Sequence, residues 1–402
     1  MIFPEDIKDM KIKALFVSYL TLALALFFYS FTQVDLSLTL SKVSVFQTLE
    51  KQFQYIGFFQ RPLSTEIFAV IFLGLFICYF SFLFFTRKGF MNLRHTKLMI
   101  FLTFIILVFS YNAFSYDLFN YIFDAKIVTF YHLNPYFHKA TDFPADPMLH
   151  FMRWTHRYYP YGPSWLILTV PLSFIGLNFF LPTFFLFKLL MGASYLGSAY
   201  LIYKISEKIF PTEKIFNTVF WAFNPLVIIE SLVSAHNDIP MMFFMLLSIY
   251  LYLVKGKKIS SFLSFIFAAA IKYSSAVLFP LYFWVLYVKR KNKRLNWDRI
   301  FLSGLLLSLV TVVAASVRTT FQPWYLIFPL TMASFIAKRN YIFLSSVIAT
   351  IFCVSIYGVL VYMTDYAKGY PQIISNLELA GLVLSLLIPF VYSFWTNRSL
   401  KL

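Results

Sequence analysis

Residues 64–86 read STEIFAVIFLGLFICYFSFLFFT and run directly into Arg87 and Lys88. Glu66, near the start, is the only charged residue in the run. About 20 apolar residues, wound as a helix, cross the hydrocarbon core of a bilayer. Inside a bilayer every backbone group must be satisfied within the segment, so the helix is the default span. The run predicts a transmembrane helix that ends on a basic cluster.

The pattern repeats along the chain. Further apolar runs lie at 14–32, 98–114, 180–203, 216–234, 239–254, 300–317, 341–363 and 378–396, with shorter ones at 259–271, 273–288 and 323–337. The run 164–176 is too short to span alone and reads as re-entrant or interfacial. The run from residue 14 is too long for a signal-peptide core and reads as a retained span. Apolar residues make up 60% of the 402 positions and charged residues 13%, against about 25% charged in a soluble domain. Residues 1–402 are expected to form a single integral membrane domain.

Lys and Arg gather between the runs, at Lys8/Lys11/Lys13, Arg87/Lys88/Arg94/Lys97, Lys204/Lys208/Lys214, Lys255/Lys257/Lys258, 289–299, Lys338/Arg339 and Arg398/Lys401. Threading the spans in order puts every cluster on one side, which the positive-inside rule makes the cytoplasm. The fold expectation is an all-α polytopic bundle of about 12 transmembrane helices with both termini cytoplasmic. The net charge of +17 then points to anionic lipid headgroups, not to nucleic acid. Cys78 and Cys353 each sit inside an apolar run, with no disulfide or metal spacing. No Walker A pattern is present, which argues against an ATP-driven pump.

Threading leaves residues 115–179 as one long loop on the external side. Loops beyond about 12–15 residues are usually functional or disordered. This one is rich in Tyr, Phe and Trp, so short interfacial helices are expected. It opens with Ser115-Tyr116-Asp117-Leu118-Phe119-Asn120-Tyr121-Ile122-Phe123-Asp124. Asp117 is placed where a helix leaves the membrane. Partial desolvation there raises a carboxylate's basicity, fitting it to take a proton from a hydroxyl; an ordinary helix-end Asp is the bland alternative. Further on come Asn134-Pro135-Tyr136 and Arg157-Tyr158-Tyr159-Pro160-Tyr161-Gly162-Pro163. Pro and Gly fix turns there, and the aromatics serve as an interfacial belt or a substrate lining.

Three more constellations fall at external turns. Asn224-Pro225-Leu226 precedes His236-Asn237-Asp238. That trio offers metal ligands or sugar hydrogen bonds; hydrogen bonding is favoured, because no second His stands at helical spacing. Lys272 alone interrupts a long apolar stretch, and Arg318 precedes Gln322-Pro323-Trp324-Tyr325. Both cations break the positive-inside trend. They either snorkel to headgroups or hold a phosphate between them.

In this order, the five pieces resemble the GT-C superfamily of polytopic glycosyltransferases, most closely its polyprenyl-phosphate-mannose-dependent mannosyltransferases. The resemblance runs from about residue 111 to 330; the last two spans carry no matching motif. It implies inverting transfer of a hexose from a polyprenyl-phosphate-linked donor to a glycan or glycolipid acceptor at the non-cytoplasmic face, at the plasma (inner) membrane if the source is prokaryotic. Asp117 matches the family's catalytic carboxylate. Some relatives carry a neighbouring Asp-x-Asp pair; here the sequence reads Asp-Leu-Phe-Asn, with Asp124 as the candidate substitute. Asp124, Tyr136, Arg157, Tyr161, His236, Asn237, Asp238, Lys272, Arg318, Gln322 and Tyr325 are the expected substrate-binding residues. No cofactor is implied, and a divalent metal is not supported. Two other readings stay open: a transporter using Glu230 and Lys188 at mid-membrane, and a flippase-like lipid binder that does not need Asp117.

Overall fold

The computed structural model describes residues 5–363 and 372–395, with side chains from residue 10 onward. The Arg398/Lys401 cluster, the Lys8 side chain and residues 364–371, between the apolar runs 341–363 and 378–396, lie outside the described residues. Within them every regular element is helical, and one isolated bridge, Lys139 to Tyr158, is the only β-type pairing.

Among the described residues six helices are long and apolar enough to cross a membrane: Met10–Gln33, Arg61–Arg87, Phe180–Ile209, Trp297–Arg318, Asn340–Met363 and Gln372–Trp395. A seventh span results if the bent pair Lys214–Ala222 and Pro225–Val233 is counted as one. Pro163–Ile175, Asp238–Leu253 and Lys258–Ala269 are apolar but shorter. The protein is therefore an all-helical membrane protein. Large apolar side chains such as Leu379, Leu382, Leu386 and Phe390 stand exposed on Gln372–Trp395, as a lipid-facing surface requires.

Local chemistry sets the breaks. Asn92, Asn224 and Asn296 each precede a helix and accept from a backbone N–H within its first turn, at 2.9, 3.0 and 3.1 Å. Pro62, Pro163, Pro225, Pro280 and Pro323 sit in first turns, where the missing N–H costs nothing. Asn224-Pro225 bends the expected single span 216–234 by 57°. The π-helical turn Ile229–Val233 follows and leads into the His236 segment.

Segment 115–179 is ordered by its own side chains. It contains the helices Asp117–Thr129 and Pro163–Ile175 and the 3-10 turns Ala140–Asp142 and Pro147–His150. Asp146 staples it: its carboxylate accepts from Lys126, from the Tyr131 hydroxyl at 2.7 Å and from the Met148 N–H at 2.9 Å. Tyr131 stacks on Phe143 with ring centroids 3.9 Å apart.

Candidate active site

Asp117 does not sit at the exit of a span. The preceding helix, Leu93–Leu107, stops early, and Asp117 is the first residue of the new helix Asp117–Thr129. The cause is local: residues 111–115 read Tyr-Asn-Ala-Phe-Ser, and Asn112 turns its amide onto the Ser115 carbonyl, a side-chain bond that competes with helix. The Asp117 N–H donates to Ser115 Oγ at 3.1 Å. A helix N-terminus favours negative charge. Burial opposes it and prevails, so the Asp117 carboxyl is raised above the usual carboxylate range; His236, Lys272 and Arg157 pull it back, and Asp238 pushes it further up. Its side chain is 16% exposed, which leaves it reachable.

His236 is fully buried and touches four groups. Its Nε2 lies 3.0 Å from Ser115 Oγ and 3.8 Å from Asp117 Oδ2. Its Nδ1 lies 2.8 Å from Glu230 Oε2, and neither of these two atoms has a hydrogen-bond partner among the described residues. The ring stacks on Trp324, with centroids 4.0 Å apart and planes 17° off parallel. Glu230 also accepts a hydrogen bond from the Tyr357 hydroxyl. Neighbouring Asn237 is buried, and neither its amide nitrogen nor its oxygen has a partner among the described residues. An unmet buried amide is costly, so a ligand hydroxyl beside it would be stabilised.

Asp238 starts the helix Asp238–Leu253 and is gripped by Lys272, whose Nζ lies 2.9 and 2.7 Å from its two oxygens. Lys272 stands in extended backbone between Lys258–Ala269 and the 3-10 turn Tyr273–Leu278. The Tyr-Gly-Pro motif docks against this turn. Gly162 N–H donates to the Ile271 carbonyl at 3.3 Å and Ser164 N–H to the Ala270 carbonyl at 2.9 Å. A Cβ on Gly162 would fall 2.2 Å from the Ala270 oxygen, so only glycine permits the approach.

The remaining expected residues occupy a rim. The Lys272 ammonium lies 5.5 Å from the Tyr325 ring centroid, and the Tyr325 hydroxyl is 3.3 Å from Thr319 Oγ1. Arg318, next to Thr319, is exposed at the end of Trp297–Arg318. Gln322 bonds Thr320 locally at 2.9 Å. The Tyr136 hydroxyl donates to the Tyr161 carbonyl at 3.0 Å, and Tyr161 packs edge-on to Tyr121 at 5.3 Å. Burial and then the Asp117 charge raise the Tyr161 hydroxyl's pKa. Arg157 is exposed and stacks over Trp154 at 4.3 Å. Asp124 lies seven residues beyond Asp117, on the same helix face, and burial pushes its carboxyl up to about 8.

Asp117, His236, Asp238, Lys272 and Tyr325 thus converge, while Gln322 and Arg157 contact local neighbours and Arg318 stands exposed at a helix end. Glu230, Ser115, Trp324 and Tyr357 join the centre without having been marked as site residues. The signal for Glu230 was its isolation as an acid within a span, which by default marks function. Lys188 does not join it. Its Nζ donates to Ser110 Oγ at 3.1 Å and to the Leu232 and Val233 carbonyls, where it caps the π-helical turn. Among the described residues no group of three or more His, Cys, Asp or Glu is arranged to hold a metal ion.

Fold and site together define a multi-pass helical membrane protein with a buried acid–base cluster. Residues 31–288, more than half of the chain, match the MptA_B family, described as alpha-(1->6)-mannopyranosyltransferase, N-terminal domain. The chain belongs to this family, and with it to the mannosyltransferases. No curated protein and no solved structure matches the chain.

Proposed function

We propose that the protein transfers mannose from a polyprenyl-phosphate-linked donor to a glycan or glycolipid acceptor at the non-cytoplasmic membrane face, inverting the anomeric centre. One observation carries the reading: Asp117, His236, Asp238 and Lys272, from segments far apart in sequence, meet at one partly open place. A transporter pathway would need Glu230 and Lys188 to face a common route, and their partners are separate.

In the proposed reaction the Asp117 carboxylate takes the acceptor hydroxyl proton as that oxygen attacks the anomeric carbon. The bond from that carbon to the phosphate oxygen breaks, and the electron pair leaves with the phosphate. A phosphate leaving group needs no strong acid, so one base suffices. Negative charge grows on the phosphate, where Lys272 and Arg318 act as its cations. Lys272 is already paired with Asp238, so it offers a positioned charge at little reorganisation cost. His236, Asn237, Asp238, Gln322 and Tyr325 hold sugar or phosphate oxygens. Asp124, Tyr136, Arg157 and Tyr161 line the acceptor approach.

In the proposed topology the shorter helices cross in pairs beside the six long ones, giving about twelve crossings with the basic clusters and both termini on the cytoplasmic side. Segment 115–179 then covers the site from outside. The test is a donor panel with the purified full chain. Mannose transfer from polyprenyl-phosphate-mannose, with anomeric configuration opposite to the donor's, is expected. Transfer from a nucleotide-sugar alone, or retention of configuration, would overturn the reading.

A further inference from the structure

Glu230 is a fully buried acid that the proposed reaction does not use. It contacts the Nδ1 side of His236, whose opposite nitrogen faces Ser115 and Asp117. Tyr357 donates a hydrogen bond to the same carboxyl. A carboxylate facing one imidazole nitrogen orients the ring and leaves the other nitrogen to exchange protons. Trp324, stacked on the ring, holds its plane and favours a cationic imidazole over its own face.

We infer that His236 is a proton relay which resets Asp117 after each transfer, and that Glu230 is the positioning residue that fixes the ring and balances its charge. This rests on the reading of Asp117 as the base. The proton from the acceptor hydroxyl first resides on Asp117. It then passes to His236 Nε2, restoring the Asp117 carboxylate and leaving an imidazolium beside the Glu230 carboxylate. The imidazolium holds the proton while product is bound and returns it through Asp117, whose side chain is 16% exposed, to water when product leaves, so no oxidant, reductant or second substrate is needed. Nε2 lies 3.0 Å from Ser115 Oγ and 3.8 Å from Asp117 Oδ2, so a small approach of ring and base brings them into transfer range. The need for a reset follows from the site: a desolvated carboxyl that has gained a proton gives it up slowly unless an acceptor stands close. Asp117, Glu230, Tyr357, Asp238, Lys272 and Arg157, with Tyr121 and Tyr161 beside Asp117 and Cys353 beside Glu230, are the titratable or charged groups around this route.

The experiment is steady-state transfer by the full-length enzyme across pH for wild type, Glu230→Gln, Glu230→Asp and Asp117→Asn. Glu230→Gln keeps size but removes charge. It is expected to lower kcat roughly 10- to 100-fold, to leave donor KM within about twofold and to change the kcat–pH profile. Glu230→Asp is expected to recover part of kcat. A Glu230→Gln enzyme with wild-type kcat and profile, beside an inactive Asp117→Asn, would overturn the relay and leave the base standing. An active Asp117→Asn would overturn the base itself. Should Glu230→Gln fail to fold, 15N shifts of labelled His236 in the wild type decide: the proton on Nδ1 at rest is expected, and on Nε2 it contradicts the relay.

Discussion

Lys272 grips Asp238 through both carboxylate oxygens, at 2.9 and 2.7 Å, across 34 positions of sequence. Asp238 is buried, and Lys272 is 21% exposed. Removing the lysine strands a buried carboxylate, which costs about 3–5 kcal/mol in a fully buried pair. Because this pair is partly solvated, Lys272→Met is expected to cost roughly 2–3 kcal/mol. Adding Asp238→Asn to that variant should restore stability but not donor affinity. Thermal unfolding in detergent, set beside donor KM, checks both halves.

Gly162→Ala tests how the aromatic segment reaches the lysine turn. The new methyl would meet the Ala270 backbone oxygen at 2.2 Å, and backbone cannot swing aside as a side-chain tip can. Lys272 lies two residues further on. Transfer is expected to fall at least about tenfold with a lowered melting temperature. A variant with wild-type turnover would show that the docking does not position Lys272.

Asp124 supplies a pH test. Its carboxyl is pushed up to about 8 by burial, against about 3.9 in an unfolded chain. Between those values the unfolded chain has lost the proton and the native state has kept it, so this group lowers stability as pH rises through the window. Below the window it contributes nothing; above it the penalty is complete. Asp124→Asn should therefore match wild type near pH 4 and be more stable at pH 9. The gap should widen by at most about 1.4 kcal/mol per pH unit. Melting temperatures at several pH values check this, and a gap independent of pH would refute it.

Among the described residues Asn237 has no partner for either amide atom, so Asn237→Ala removes no side-chain hydrogen bond seen there. Its stability should change by less than about 1 kcal/mol, while substrate KM rises roughly 3- to 10-fold if the amide binds sugar. Loss of stability with unchanged KM would make it a packing residue.

The long runs were legible as membrane helices because a charge-free stretch such as 67–85 has no other stable environment. Asp117 and the His236-Asn237-Asp238 trio stood out as polar groups between such runs, and their meeting is a property of the fold. Glu230 was visible only as a mid-membrane acid of the transporter alternative. Only the π-helical turn after Asn224-Pro225 brings it against His236, and a uniform helical period cannot foresee such a turn. Tyr357 was hidden, since a tyrosine within the span Asn340–Met363 reads as ordinary core until its partner is known. Arg318 illustrates the opposite limit. Its departure from the charge pattern was real, yet the structure leaves it exposed at a helix end, where its expected role depends on a bound donor.

The central claim is that Asp117 is the base of a mannosyl transfer. Mannose transfer from polyprenyl-phosphate-mannose by wild type and Asp117→Asn, each shown folded by its melting curve, tests it most directly. The account predicts that the variant binds donor and loses at least about a hundredfold in turnover. Wild-type turnover in a folded Asp117→Asn sample would contradict it.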